Sequence, residues 1–87
     1  MISFIEFADY VVRPGDSLCE NGMIDNLPEC KEAAHQLNFD FAEEEETTNY
    51  PGGCYVVYDI PTDSVYFNKN FTGASKNIAH PICRKGK

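Results

Sequence analysis

Four cysteines in a chain of 87 residues constrain this sequence more than any other feature. A domain this short builds only a small core, and the entropy of ordering the chain opposes nearly all that apolar burial provides. Crosslinks therefore decide whether one structure is held. Cys19, Cys30, Cys54 and Cys83 are even in number, spaced 11, 24 and 29 positions apart, with no C-x-x-C pair. That layout reads as a two-disulfide framework in an oxidising compartment, extracellular or lumenal. Each bridge would contribute about 2–4 kcal/mol, mainly by restricting the unfolded chain. Four cysteines allow three pairings. Cys30–Cys54 and Cys19–Cys83 are expected, the first tying a helix to a hairpin and the second clipping the two ends of the fold. Two other states stay open. One is four reduced, buried cysteines; the other is a zinc site, although closely spaced ligand pairs are missing and His35 and His80 show no spacing that would complete one.

The clearest local signal is a helix over about 27–37. Asn26-Leu27-Pro28-Glu29 combines an N-cap with a Glu three residues on, and proline is tolerated in a first turn. Cys30, Ala33, Ala34 and Leu37 then repeat at helical spacing, while Lys31, Glu32, His35 and Gln36 fall on the wet side. The strongest strand is 54–60, launched by the Tyr50-Pro51-Gly52-Gly53 turn and paired through Pro61-Thr62-Asp63 with a second strand over 64–68. Residues 3–12 carry aromatic and β-branched side chains in imperfect alternation and read as a further strand. Arg13-Pro14-Gly15-Asp16 is a turn, and 16–25 look irregular. Residues 38–50 hold Glu43, Glu44, Glu45 and Glu46 in a row, whose mutual repulsion predicts an exposed loop. That loop lacks the alternating ligands and turning glycine of a calcium site. The segment from Lys69 reads as mostly irregular, with Ile78 and Ile82 packing back on the sheet near Cys83. The expected fold is α+β: a single small domain over 1–87, with one helix packed on a small antiparallel sheet and stapled by disulfides.

Charge excludes one class of partner. The chain holds 14 Asp and Glu against 7 Lys and Arg, a formal charge of −7. Such a surface does not neutralise phosphates, so nucleic acid is not expected. The charge is uneven: residues 1–68 carry all the acids with only Arg13 and Lys31, whereas 69–87 carry five cations and no acid. The basic tail is expected to lie across the acidic body, with docking on an acidic partner surface as the alternative. No run approaches the length of a membrane span. The N-terminus does not read as a signal peptide, since Glu6 and Asp9 interrupt it and no basic residue precedes it; a secreted chain would then be a processed form or part of a longer product.

No catalytic motif is present: there is no G-x-S-x-G, H-E-x-x-H or phosphate loop, and neither enzymatic activity nor a cofactor is expected. Tyr50, Tyr55, Tyr58, Tyr66 and Phe71 crowd the second half of the chain. On a two-faced hairpin some must lie outside the core, where they could anchor a protein partner or stack on a glycan. Asn70-Phe71-Thr72 matches the N-glycosylation pattern, with Asn70 as the acceptor.

Glu29-Cys30 with Ala33-Ala34, Tyr50-Pro51-Gly52-Gly53-Cys54-Tyr55, Val65-Tyr66-Phe67-Asn68, Thr72-Gly73 and Pro81-Ile82-Cys83 together span about residues 10–84. This set resembles a small four-cysteine domain of predicted proteins from marine microalgae and other aquatic protists. The resemblance implies a module often carried within larger proteins, with paired cysteines and no enzymatic activity. The four-glutamate run and the basic tail depart from that pattern. The leading expectation is a non-catalytic, disulfide-stabilised interaction or structural module, in the manner of a small subunit of a larger assembly. The alternatives are a carbohydrate-binding surface module, and a small redox or metal-binding protein using its cysteines.

Overall fold

The computed structural model describes residues 9–58 and 62–85. In chain order the elements are β1 (Tyr10–Val12), α1 (Leu27–Gln36), β2 (Asp40–Glu45), β3 (Gly53–Tyr58), β4 (Asp63–Asn68) and β5 (His80–Arg84). The strands form one sheet in the order β1-β5-β3-β4-β2, with α1 packed on one face.

The helix forms where the caps and the apolar stripe place it. Asn26 is extended, and its Oδ1 accepts from the Glu29 backbone N–H at 2.9 Å. Its Nδ2 donates to Glu29 Oε1 at 3.2 Å, so cap and first turn hold each other. The helix ends at Leu37, and Asn38 takes the left-handed conformation with φ 65°. Cys30, Ala33 and Ala34 are buried on its inner face. Two of these side chains are methyl groups, so the helix lies close to the sheet.

β3 and β4 form the expected hairpin, pairing Cys54 with Phe67, Tyr55 with Tyr66 and Val56 with Val65. The part of the expected strand at 59–60 lies outside the described residues. Because side chains alternate, this register divides the sheet into two faces. Cys54, Val56, Val65, Phe67 and Ile82 meet the helix, with Tyr10 and Ile24 completing the core. Tyr55, Val57, Ser64 and Tyr66 belong to the opposite face.

The sheet corrects three expectations. It is mixed rather than antiparallel, because β2 runs parallel to β4. Residues 40–45, expected as part of an exposed loop, are strand. The glutamates tolerate this because β2 is an edge strand with solvent on its open side, and charged side chains on an open edge also oppose pairing with other chains. The tail from 69 is irregular only as far as 79; β5 then inserts between β1 and β3. Ile82 is fully buried there, whereas Ile78 is 48% exposed and lies beside the opposite face of the sheet rather than in the core near Cys83. Of the expected N-terminal strand, Tyr10–Val12 are strand and pair with β5; residues 3–8 lie outside the described residues.

Cys19 bonds Cys83 and Cys30 bonds Cys54, with Cα separations of 5.7 and 5.4 Å. The second joins α1 to the central strand β3 inside the core. The first joins the segment after β1 to β5.

Part of the basic tail lies across the acidic body. Arg84 makes a bidentate pair with Glu29, Nε to Oε2 at 2.8 Å and Nη2 to Oε1 at 2.6 Å, and Nη2 also reaches Asp25 at 3.2 Å. Lys69 approaches Glu44 at 3.9 Å. The Arg84 guanidinium, with the Tyr10 hydroxyl also donating, holds the Glu29 carboxyl down at about 2, below its ordinary 4.5. A carboxylate whose folded value is depressed stabilises the fold above its unfolded value, and that contribution is lost as pH falls toward the folded one. The Arg84 side chain is 39% exposed, so solvent weakens the pair. We expect Glu29→Gln to cost about 1–2 kcal/mol near neutral pH and to flatten the loss of stability of the parent between about pH 4.5 and pH 2. Urea midpoints for both proteins across that range measure it. Parallel curves would show that the pair contributes nothing.

Candidate functional site on the open face of the sheet

The face opposite the helix carries a row of three parallel tyrosine rings. Tyr55 extends from β3 and Tyr66 from β4 as direct cross-strand partners. Their centroids are 5.5 Å apart at an interplanar angle of 19°. Tyr50, in the loop before β3, stacks on the other side of Tyr55 at 5.5 Å and 12°. Lys76 Nζ then stands over the Tyr50 ring, 5.1 Å from its centroid.

A bulge in β2 brings a carboxylate to this row. Phe41 pairs with Val65, but Glu43 rather than Ala42 pairs with Tyr66. The extra residue shifts the alternation, so Phe41 meets the core while Glu43 and Glu45 share the tyrosine face. Glu45 Oε2 accepts the Tyr55 hydroxyl hydrogen bond. Burial, and then this bond to the carboxylate, push the Tyr55 hydroxyl well above the ordinary tyrosine range, so it stays a protonated donor.

Glu45, Tyr50, Tyr55, Val57, Tyr66 and Ile78 line a half-open cleft of about 340 Å³. It is walled by aromatic and aliphatic groups with one acid at its edge, and it has room for one or two side chains of a partner.

The loop behind the cleft hangs on Asn68. This side chain is fully buried at the end of β4. Its Oδ1 accepts from the backbone N–H groups of Thr47 and Asn70, each at 3.0 Å. Its Nδ2 stands 2.9, 3.0 and 3.2 Å from the carbonyl oxygens of Thr47, Tyr50 and Pro51. One amide thus fixes the 47–51 loop that delivers Tyr50.

The five aromatic residues singled out in the sequence do not form one platform. Tyr50, Tyr55 and Tyr66 share the cleft, and Tyr55 is only 2% exposed. Tyr58 belongs to the helix face, tilted against His80 at 4.8 Å and edge-on to Phe39 at 6.0 Å. Phe71 sits edge-on to Phe67 at 6.1 Å. Glu45, Val57, Ile78 and Asn68 were not among the sequence candidates. The alternation of Phe39 and Phe41 with the polar Asn38 and Asp40 is the sequence signal that could have indicated a strand beside the hairpin. All four cysteines are paired, so the oxidised molecule presents no thiolate. Asn70 lies in a surface turn and is half-exposed. Among the described residues no helix is long and apolar enough to cross a membrane. Comparison of the chain with protein-family models, with curated proteins and with solved structures gives no match.

Proposed function

We propose that this protein is a non-catalytic, disulfide-stapled interaction module of an extracellular or lumenal compartment, and that it holds a basic segment of a protein partner in the tyrosine cleft. The observation that carries this reading is the cleft itself, with three ordered tyrosines and the Glu45 carboxylate around a space of side-chain size. Net charge supports a cationic partner: the chain is at −7, and Arg84 and Lys69 already face acids of the same molecule. Lys76 supplies an internal precedent, since it places an ammonium on the ring of Tyr50. A glycan is less well served. Sugar stacking needs an open ring face, but Tyr55 is stacked on both sides and Tyr50 is stacked on one and carries Lys76. The two disulfides support the oxidising compartment.

The test is an amide-resolved NMR titration of the oxidised protein with a Lys/Arg-rich peptide and, separately, with a panel of neutral oligosaccharides. Peptide-induced shifts should concentrate at Glu45, Tyr50, Tyr55, Tyr66 and Ile78. Glu45→Gln, which still accepts from Tyr55, should weaken binding about tenfold, as expected for loss of one charge-assisted contact. Shifts scattered over every acidic patch, or cleft shifts with sugars alone, would overturn the reading.

A further inference from the structure

The Asn70-Phe71-Thr72 motif is the one N-x-S/T sequence in the chain, and its local geometry goes beyond the pattern. Gly73 N–H donates to the Asn70 carbonyl at 3.0 Å, closing a tight turn over 70–73. Within it the Thr72 backbone N–H and Thr72 hydroxyl both donate to Asn70 Oδ1, at 3.1 and 2.8 Å. The amide oxygen is therefore engaged twice, while among the described residues no acceptor meets Asn70 Nδ2. Asn68, two positions earlier, is the contrast: it is buried, and its Nδ2 faces three carbonyls.

The turn is also held firmly in place. A Cβ at Gly73 would lie 2.0 Å from the Tyr50 carbonyl oxygen, and one at Gly52 would lie 2.5 Å from Phe71 Cα. Backbone therefore packs directly on backbone beneath the turn. Above it, Phe71 and Thr72 are exposed, Phe71 by 43%. A substituent on Nδ2 would project from a fixed turn without displacing the core.

We propose that Asn70 is an N-glycosylation site, the oligosaccharide being joined to Nδ2 on a turn built by Thr72; this rests on the secretory compartment of the proposed function. The co-reactant is an oligosaccharide carried on a lipid diphosphate. Asn70 Nδ2 forms a bond to the anomeric carbon and loses one proton, which passes to solvent. The anomeric carbon–oxygen bond breaks, and the lipid diphosphate leaves with that electron pair. No electrons pass to an oxidant or reductant. Hydrogen bonds from Thr72 to Oδ1 favour the form of the amide with more charge on oxygen, which assists loss of the nitrogen proton.

The experiment is the intact mass of the protein purified from its native source, before and after peptide N-glycosidase, with free thiols counted in the same sample. The expected result is excess mass that the enzyme removes, leaving aspartate at position 70, in protein without free thiols. In a eukaryotic secretory host, Thr72→Ser should keep the modification and Thr72→Ala should abolish it. Oxidised protein with a bare Asn70 overturns the glycosylation proposal and leaves the compartment standing. Free thiols with a bare Asn70 overturn both. Excess mass that survives Thr72→Ala also overturns the proposal.

Discussion

Replacing Asn68 with alanine is expected to remove about 3–4 kcal/mol of stability, a large share of the roughly 4–13 kcal/mol that a domain of this length possesses. The side chain is fully buried and bonds five backbone groups. Alanine removes every one of these partners and leaves N–H and C=O groups without replacement, which costs more than the net value of the bonds themselves. Asn68→Asp separates chemistry from shape. Its retained oxygen can still accept from Thr47 and Asn70, but its second oxygen would face three carbonyl oxygens. That variant should be at least as damaged as alanine at neutral pH, where the carboxylate is charged, and should recover in part once protonated. Urea unfolding followed by far-UV circular dichroism measures both. A loss below about 0.5 kcal/mol for Asn68→Ala would show that the 47–51 loop is held by other contacts. Because this loop carries Tyr50, the same substitution should abolish the peptide-induced shifts at the cleft.

Removing the Cys30–Cys54 bridge is the second large effect. The bond closes a sequence separation of 24, and both residues are essentially inaccessible. Loop entropy assigns it about 3–4 kcal/mol. Alanine at both positions also leaves unfilled space between helix and sheet. A total of about 4–5 kcal/mol follows, equivalent to a fall in Tm of about 15 °C or more. Cys19–Cys83 closes a separation of 64 and is worth about 4 kcal/mol on the same model, but Cys19 is only partly buried. Limited reductant followed by alkylation should therefore label Cys19 and Cys83 before Cys30 and Cys54. Labelling in the reverse order, or a Cys30→Ala/Cys54→Ala variant that melts within a few degrees of the parent, would contradict this division.

These two predictions differ in how much of them the sequence displayed. The cysteine spacing and the cap at Asn26 are local signals, and the helix, the hairpin and the two crosslinks could be read from them. The row Tyr55–Tyr66 follows directly from hairpin register. Other features depend on pairing between segments distant in sequence. Glu43 to Glu46 look like a solvated loop until β2 is known to lie parallel to β4 at an edge. There one side of each residue meets solvent, and a single bulge decides which glutamates share the tyrosine face. β5 was hidden for a similar reason: Pro81 and the polar residues before it resemble coil, so Ile82 could be expected against the sheet but not as part of a strand inserted between β1 and β3. Asn68 closes the second strand of the hairpin, and nothing local to it announces that five backbone groups converge there. Tyr58 and Phe71 look equivalent to Tyr50 in composition, yet they lie apart from the cleft.

The oxidised state of the four cysteines underlies the fold, the proposed compartment and the proposed contact surface alike, so its most direct test is a non-reducing peptide map of the protein from its native source. The account predicts two linked peptide pairs, Cys19 with Cys83 and Cys30 with Cys54, and no alkylation before reduction. Four alkylated thiols without reductant, or a peptide joining Cys19 to Cys30, would contradict it.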